Sequence, residues 1–276
     1  MTAMAENPEI GTPVLANGIV TNYHVAGQGP PVVLIHGSGP GVSAWANWRL
    51  NIGPLSERNT VYALDMVGFG FTERPQDIEY GLDTWRDHFL GFVDAVDLDR
   101  FSLVGNSFGG ALALAVATAA PERVDKLVLM GAVGVPFEIT DGLDRVWGYE
   151  PSLETMRGLL DIFAYDRALV TDELARMRFE ASVRPGFQES FSAMFPAPRQ
   201  RWVDAMTVDE GLVKALPHET LILHGRDDRV IPLANALRLL ELIERSEAHL
   251  FGRCGHWTQI EHADTFNRLV GDFLNR

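Results

Sequence analysis

The chain has 276 residues, of which 46% are hydrophobic and 22% charged, a composition that excludes disordered, fibrous and coiled-coil proteins. Its formal net charge of -14 disfavours binding to nucleic acid and to anionic membrane surfaces. No apolar run reaches the roughly 20 residues that a membrane span needs. The lone Cys254 has no partner for an internal disulfide, and the first residues lack a secretory signal pattern. We therefore expect one globular unit in the cytoplasm.

Short apolar runs alternate with longer segments of helical periodicity, which is typical of βαβ units on a buried parallel sheet. An antiparallel edge is expected first, at residues 19–25, with a turn at Asn17-Gly18. Most of the later runs end at Gly, His or Asp, at the sheet edge where open α/β sheets bind ligands. These strands are predicted at residues 32–36, 60–64, 101–105, 126–130, 220–224 and 248–251.

The rhythm changes between Gly134 and about Thr207, where strand-like runs stop and amphipathic segments such as 152–163 and 171–182 take over. The second segment opens with Thr-Asp-Glu, a pattern of capped helix starts. A long helical insertion between two strands predicts a lid over the carboxyl edge of the sheet, with a surface insertion of no role as the alternative. The chain then divides into an α/β core, residues 1–134 and 208–276, and a helical lid, residues 135–207.

The segment Gly105-Asn106-Ser107-Phe108-Gly109 follows a predicted strand and precedes an alanine-rich helix. Glycines two residues on either side of a serine leave room for the neighbouring chain at a tight turn. The amides after the serine then point from a helix N-terminus, where developing negative charge is stabilised. Although the GxSxG pattern alone arises often by chance, its context predicts a nucleophile at Ser107.

A serine nucleophile needs an adjacent base and an acid that orients the base. After the strand at 220–224, the loop offers Asp227 or Asp228 as the acid. After the last strand, the segment 252–257 offers His256 as the base. The chain order Ser, Asp, His matches an α/β-hydrolase.

A glycine-rich loop at residues 36–41, HGSGPG, directly follows a predicted strand and could bring a backbone amide to an oxyanion. It lacks the Lys-Ser/Thr ending of a phosphate-binding loop. The His36 imidazole is expected to be packed or hydrogen-bonded locally, and Cys254 to be a small buried residue. Because the other histidines have no metal-ligand spacing, no metal site is predicted.

The chain resembles the α/β-hydrolase fold over nearly its whole length and, more narrowly, the meta-cleavage product hydrolases. The narrower resemblance rests on residues 36–41 with Asn47, DMVGFG at 65–70, GNSFGG at 105–110 and CGHW at 254–257. Residues 160–174 and 252–261 look most like the 2-hydroxymuconic semialdehyde hydrolases, and less like the biphenyl-pathway branch. The resemblance implies a mostly parallel central sheet with helices on both faces and an inserted helical lid. It also selects Asp228 as the acid, and leaves Asp227 as a loop-capping or solvated carboxylate.

Such enzymes hydrolyse a carbon-carbon bond in a 2-hydroxy-6-oxohexa-2,4-dienoate, the ring-fission product of a catechol. The products are 2-hydroxypenta-2,4-dienoate and a small carboxylic acid, and no metal or organic cofactor is required. The resemblance implies that the backbone amides of Ser38 and Phe108 form the oxyanion hole. Arg178 would bind the substrate carboxylate, a task that suits a guanidinium. The alternative for Arg178 is a surface arginine paired with Glu180 or Asp172.

The resemblance also implies contacts between the dienoate and Asn47, Asn106, Trp257 and Gly39, although a tryptophan beside a histidine can also be simple core. A homodimer or larger homo-oligomer is expected. The pocket for the C6 substituent is predicted from six apolar residues, Val133, Leu143, Trp147, Val203, Val230 and Ile231.

Two other functions stay open. A carboxylesterase or lactonase would use the same triad but has no need of Arg178 or Asn106. A non-catalytic ligand-binding relative of the fold could also retain the three residues. Haloalkane dehalogenases and epoxide hydrolases are excluded, because they carry an aspartate where this chain has Ser107.

Overall fold

The computed structural model describes residues 7–276, so the start of the predicted core, residues 1–6, lies outside it. Eight strands form one sheet in the order β1-β2-β4-β3-β5-β6-β7-β8. The pairs β1–β2 and β2–β4 are antiparallel, and the remaining pairs are parallel. The strands are β1 (Thr12–Ala16), β2 (Ile19–Ala26), β3 (Pro31–Ile35), β4 (Thr60–Leu64), β5 (Phe101–Asn106), β6 (Val124–Met130), β7 (Glu219–Gly225) and β8 (Ser246–Phe251).

The central strands are apolar on both faces because successive side chains point to opposite sides of a sheet that is covered on both. In β3, Val33 and Ile35 join one core cluster, whereas Val32 and Leu34 join the other. This explains why the buried strands appear in the sequence as continuous apolar runs. All seven predicted strand segments are confirmed, with ends that differ by no more than two residues.

Helices cover both faces of the sheet. They are α1 (Ala44–Trp48), α2 (Ile52–Ser56), α3 (Leu82–Ala95), α4 (Phe108–Ala119), α5 (Asp141–Trp147), α6 (Leu153–Phe163), α7 (Asp172–Ser182), α8 (Phe187–Met194), α9 (Gln200–Ala205), α10 (Glu210–Lys214), α11 (Leu233–Leu242), α12 (Thr258–Glu261) and α13 (Ala263–Leu274). Helices α3, α4 and α11 contribute to one core cluster, and α1, α2 and α13 to the other. The predicted mostly parallel sheet with helices on both faces is confirmed.

Six helices, α5 to α10, lie between β6 and β7, and the first five of them, α5 to α9, lie within residues 135–207, where the sequence indicated a helical insertion. Thr140, Ser152 and Thr171 cap the first three, each accepting a hydrogen bond from an amide three residues later. The two ends of the insertion are joined, because the amide of Val208 donates a hydrogen bond to the carbonyl oxygen of Gly134 over 3.0 Å. The inserted helices therefore leave and re-enter the sheet at one place.

None of the helices in residues 7–276 has both the length and the apolar character to cross a bilayer. Over the same range, His, Cys, Asp and Glu side chains form no group of three or more that is arranged to hold a metal ion.

Candidate active site

Ser107 lies on the tight turn between β5 and α4, with φ 55° and ψ -113°. A non-glycine residue at positive φ is strained, and such strain is typical of functional positions. The flanking glycines are needed for space: a Cβ on Gly105 would lie 2.3 Å from the carbonyl oxygen of Gly109, and one on Gly109 would lie 2.4 Å from that of Ile35. The turn therefore depends on both glycines of the GxSxG pattern.

His256 and Asp228 are brought together by the loops after β8 and β7. His256 Nδ1 donates a hydrogen bond to Asp228 Oδ2 over 2.7 Å. The other carboxylate oxygen, Oδ1, accepts the amides of Val230 at 2.7 Å and Ile231 at 3.0 Å. With Nδ1 engaged, Nε2 is the ring nitrogen of His256 that is left for the cavity it shares with Ser107. Within the described residues no hydrogen bond joins Ser107 to His256, a looseness common in enzymes without substrate.

Asp228 stays ionised in its buried position. Burial alone would raise the pKa of its carboxyl, but the charge and hydrogen bond of His256, with a contribution from His224, lower it below the ordinary value. His224 Nε2 lies 3.5 Å from Asp228 Oδ2. The neighbouring Asp227 accepts hydrogen bonds from the backbone amide of Arg253 and from the guanidinium of Arg226. Asp228 is thus the one of the two aspartates that contacts the imidazole.

The glycine-rich loop after β3 lies beside the serine turn, and Ser38 and Gly39 line the same cavity as Ser107. The His36 side chain holds this loop in place, because its Nδ1 donates a hydrogen bond to the carbonyl oxygen of Gly37 and its Nε2 accepts one from the amide of Met66. Burial lowers the pKa of His36 to about 4, so it is neutral. In residues 7–276, the amides of Ser38 and Phe108 donate no hydrogen bond to loop backbone. They remain available to an oxyanion.

The cavity has a volume of about 280 Å³, close to the lower end of the usual range for ligand pockets, about 300–1,000 Å³. A small ligand therefore suits it better than a polymer. Its polar wall contains Asn47, Arg49, Asn106, Arg178, Trp257 and Gln259 beside Ser107 and His256. Its apolar wall contains Leu143, Val146, Met156, Leu160, Phe163, Leu169, Leu174, Val230 and Ile260.

Arg178 extends from α7 into this cavity. Its Nη2 donates to the carbonyl oxygen of Pro40 over 3.3 Å, and no carboxylate of the described residues lies within ion-pair distance. Asp172 pairs with Arg157 instead, so the surface-pair alternative for Arg178 fails for that residue. Burial first, and the nearby Arg49 and Arg184, lower the pKa of Arg178 while Glu9 raises it. A guanidinium stays charged under these conditions, so Arg178 places uncompensated positive charge on the cavity wall.

Two asparagines form a hydrogen-bonded pair on the polar wall. Asn106 Nδ2 donates to Asn47 Oδ1 over 2.8 Å, and the same oxygen accepts the amide of Gly37 at 3.3 Å. Asn47 Nδ2 and Asn106 Oδ1 are buried and have no hydrogen-bond partner among residues 7–276. Trp257 lies nearby, with its ring stacked on Phe163 at a centroid distance of 5.2 Å.

The six residues predicted for a substituent pocket divide into two groups. Leu143 and Val230 lie on the wall of the cavity. The correction concerns Val133, Trp147, Val203 and Ile231, which are buried but do not line it. The Trp147 ring stacks on Phe195 with a centroid distance of 4.3 Å, and its indole nitrogen donates a hydrogen bond to Ser38 Oγ over 3.0 Å. The ring therefore packs behind the cavity wall and does not form part of it.

Several wall residues were missed by the sequence prediction. On α6, Met156, Leu160 and Phe163 line the cavity at positions four and three residues apart, which is one face of a helix. The helical periodicity of 152–163 contained this signal. Gln259 was also missed, although it stands three residues after His256. Its buried Oε1 has no hydrogen-bond partner among the described residues.

Residues 30–263 match the family model of the alpha/beta hydrolase fold. A solved meta-cleavage product hydrolase, CumD from Pseudomonas fluorescens IP01, is 62% identical to this chain with a TM-score of 0.97; the match covers 98% of this chain and 99% of that one. That structure is a serine-to-alanine mutant complexed with acetates. The chain belongs to the α/β-hydrolase family and, within it, to the meta-cleavage product hydrolases.

Two further meta-cleavage product hydrolases extend the comparison. A 2-hydroxy-6-oxo-2,4-heptadienoate hydrolase of Pseudomonas putida strain F1 is 64% identical over 268 residues, which cover 97% of each protein. A 2-hydroxymuconate semialdehyde hydrolase of Pseudomonas sp. strain CF600 is 59% identical over 274 residues, covering 99% of this chain and 97% of that protein. The family predicted from the sequence motifs is confirmed.

Proposed function

We propose that this chain hydrolyses the carbon-carbon bond between C5 and C6 of a 2-hydroxy-6-oxohexa-2,4-dienoate, with a small substituent at C6. The observation that carries the proposal is the joint placement of a serine, a histidine on an aspartate, and an unpaired arginine around one small cavity. An ester hydrolase would also need the serine, the histidine and the aspartate. The arginine is explained by a substrate that carries a carboxylate.

The substrate lies with its C1 carboxylate on Arg178 and its C6 carbonyl beside Ser107. The guanidinium supplies a planar pair of donors that matches a carboxylate, against a net protein charge of -14. Asn47, Asn106, Trp257 and Gly39 contact the dienoate between the two ends. Leu143 and Val230, with the α6 residues, surround the C6 substituent.

Catalysis begins when the dienol becomes a ketone, as its hydroxyl proton is lost from the oxygen on C2 and a proton is added at C5. A carbon leaving group at C5 is then stabilised, because its electron pair can be delocalised to the oxygen on C2. Ser107 Oγ attacks C6 while His256 Nε2 takes its proton, and Asp228 holds the imidazole in the required tautomer. The amides of Ser38 and Phe108 stabilise the oxyanion on C6.

The C5–C6 bond breaks as the oxyanion collapses to an acyl-serine, and the electron pair passes through C5 to the oxygen on C2. Protonation there, with the proton that His256 took from Ser107, gives 2-hydroxypenta-2,4-dienoate and returns the imidazole to its neutral form. Water, deprotonated by His256, then attacks the acyl group and releases a small carboxylic acid with free Ser107. Substrate and one water thus balance the two products, and no metal or organic cofactor enters the reaction.

Residues 135–207 serve as a lid in this proposal. Helices α5, α6 and α7 supply Leu143, the α6 wall residues and Arg178, so the insertion closes the cavity over the serine turn. The lid is also tied to the base loop, since the amide of His256 donates to the carbonyl oxygen of Phe163 over 2.7 Å. A closed cavity excludes water and strengthens the charge interactions on which the chemistry depends.

The C6 substituent is hydrogen or methyl in this proposal. The names of the two curated relatives correspond to an aldehyde and to a methyl ketone at C6. One methylene changes binding by only about 1–3 kcal/mol, so both substrates are expected to react with different efficiency.

The test follows the loss of the yellow dienolate when purified protein meets 2-hydroxy-6-oxohexa-2,4-dienoate or its 6-methyl and 6-phenyl analogues. A Ser107→Ala variant is the control. Rapid bleaching that requires Ser107 is expected, with the 6-phenyl analogue slowest. Absence of bleaching together with turnover of aryl esters would move the function to a carboxylesterase or lactonase. Binding without any turnover would indicate a ligand-binding relative.

The cytoplasmic location and a homodimer or larger homo-oligomer belong to the same proposal. They fit an acidic chain that acts on a small anionic dienoate and has no predicted nucleic acid or membrane partner. Light scattering on the purified protein tests the assembly, and a monomer at micromolar concentration would contradict it.

A further inference from the structure

The cavity contains a third buried amide beside the two asparagines. Gln259, on α12, is 1% exposed and lines the polar wall. Its Nε2 donates to the backbone carbonyl oxygen of Asn47 over 3.4 Å, while its Oε1 has no partner among the described residues. A carbonyl oxygen can only accept, so the NH₂ group must face Asn47. The buried atom of Gln259 that has no partner in residues 7–276 is therefore an acceptor.

The same reasoning determines which side-chain amide atoms of Asn47 and Asn106 are donors and which are acceptors. The amide of Gly37 donates to Asn47 Oδ1, so Asn47 Nδ2 is a donor, and it has no partner in the described part of the chain. Asn106 Nδ2 donates to that same oxygen, so Asn106 Oδ1 is an acceptor, and it too has no partner there. The three amides thus form a hydrogen-bonded row, in which Asn106 bonds the side chain of Asn47 and Gln259 bonds its backbone.

Buried polar atoms without a partner are rare, so an unpaired acceptor on a cavity wall points to a donor on the ligand. A 2-hydroxy-6-oxodienoate has acceptors at its carboxylate and at C6, and its donor is the hydroxyl on C2. With C6 at Ser107, C2 lies four carbons away, toward the carboxylate end. The proposed pose therefore places the only donor of the substrate along the polar wall to which Gln259 belongs.

We propose that Gln259 Oε1 accepts a hydrogen bond from the C2 hydroxyl of the substrate, and so positions the dienol with its proton on oxygen. This inference rests on the proposed function. A dienolate oxygen in the same place would face the lone pairs of Gln259, so the contact disfavours the dianion. Because the hydroxyl proton is lost in ketonisation, the contact belongs to the bound substrate and to the product rather than to the keto intermediate.

Removal of this acceptor has a recognisable kinetic signature. An interaction made with the dienol and lost at the ketone stabilises the bound substrate but not the later transition state. Gln259→Met, which keeps the length of the side chain but lacks the amide, is expected to raise KM about tenfold and to raise kcat with it, so that kcat/KM changes little. A general disturbance of the base loop would instead lower kcat.

The matched control is Gln188→Met. Gln188 on α8 also donates through Nε2 to a backbone carbonyl, that of Tyr149, and its buried Oε1 also has no partner within residues 7–276, but it does not line the cavity. This variant is expected to retain the kinetic constants of the unaltered protein. It separates the loss of a buried amide from the loss of a substrate contact.

The direct experiment uses the Ser107→Ala background, where 2-hydroxy-6-oxohepta-2,4-dienoate binds without turnover. The absorbance of the bound compound is followed against pH, and the midpoint between dienol and dienolate is measured. Gln259→Met is expected to lower this midpoint by about one pH unit, a tenfold change in the equilibrium. Gln259→Glu, which keeps an acceptor and adds negative charge, is expected to raise it.

Equal midpoints in the Gln259→Met, Gln259→Glu and Gln188→Met proteins would overturn the role of Gln259, even if the unaltered protein bleaches the dienoate. If the unaltered protein neither bleaches nor binds the dienoate, the proposed function fails first, and the role of Gln259 fails with it. Should Gln259→Met not fold, the Glu variant alone decides, since its midpoint must then rise above that of the Ser107→Ala parent.

Discussion

The indole nitrogen of Trp147 donates a hydrogen bond to Ser38 Oγ over 3.0 Å, which ties helix α5 of the insertion to the loop after β3. The ring lies parallel to Phe195, with an interplanar angle of 6°. Trp147 therefore holds the residue whose amide is proposed for the oxyanion hole. A residue of the insertion thus acts behind the cavity wall rather than on it.

Trp147→Phe tests this relationship, because phenylalanine keeps the stacking on Phe195 but lacks the N–H donor. The loop that carries Ser38 is expected to lose its fixed position, and kcat to fall about tenfold with little change in KM. That is a modest part of the 10²–10³-fold cost of losing an oxyanion donor outright. Stopped-flow kinetics with the preferred dienoate provide the measurement.

Trp202→Phe is the matched control, since Trp202 donates its indole N–H to the carbonyl oxygen of Pro196, away from the cavity. Its kcat is expected to match that of the unaltered protein. An equal fall in both variants would mean that the loss reflects packing of the insertion and not the support of Ser38.

The sheet and the serine turn could be predicted because their signals are local in the sequence. A run such as Val-Val-Leu-Ile in β3 has no polar face, so it fits a strand covered on both sides. At Ser107, the two flanking glycines are needed because backbone atoms of the neighbouring chain lie too close for a Cβ, and this requirement is visible in the sequence.

The substituent pocket could not be predicted in the same way. Helical periodicity shows that Val146 and Trp147 are apolar and buried, but which neighbour faces a cavity depends on how the insertion packs on the sheet.

The choice between two adjacent aspartates gives a second prediction. Asp228→Asn is expected to lower kcat about 10⁴-fold, because an amide at this position favours the wrong imidazole tautomer, as in serine proteases. Asp227→Asn, which alters a carboxylate that contacts Arg226 and the loop amide of Arg253, is expected to change kcat little. Steady-state kinetics of the two variants decide between the aspartates, and a reversed order of activities would reject Asp228 as the acid.

The pH dependence of stability follows from the same carboxyl. His256 and His224 hold the pKa of Asp228 below its ordinary value of about 3.9 despite its burial. A lowered folded-state pKa contributes stability above pH 4 that is lost as the pH falls through it. The difference in unfolding free energy between the unaltered protein and Asp228→Asn is therefore expected to shrink below pH 4. Urea unfolding at several pH values measures it, and a difference that grows toward low pH would contradict the expectation.

Arg178 provides a fourth prediction, with Arg176 on the same helix as its control. Arg178→Ala removes the guanidinium proposed to bind the substrate carboxylate and is expected to lower kcat/KM by at least about 100-fold, since a buried charge contact to a carboxylate is lost. Arg178→Lys restores the charge but not the planar pair of donors, so only part of the activity should return. Arg176 is exposed and lies off the cavity, so Arg176→Ala should keep full activity. Equal kcat/KM for the two alanine variants would remove Arg178 from the carboxylate site.

Glu261 links the base loop to the insertion. Its Oε1 accepts the amide of Gly255 at 2.7 Å, and its Oε2 accepts the amides of Tyr165 and Asp166, each at 2.8 Å. Gly255 directly precedes His256, and Tyr165 follows α6 of the insertion. One carboxylate therefore holds both the loop that carries the base and the segment that carries the apolar wall.

Glu261→Gln gives the last prediction, because a glutamine has one acceptor oxygen and places an NH₂ group against backbone N–H donors on one side. At least one of the three amides loses its partner, which costs about 1–3 kcal/mol of unfolding free energy. The looser base loop is also expected to lower kcat several-fold. Glu247→Gln, on an exposed pair with Arg276, is the control and should cost less than about 1 kcal/mol. Thermal unfolding and kcat are measured together: a Glu261→Gln protein that matches the control in both would show that the carboxylate does not hold the two segments in place.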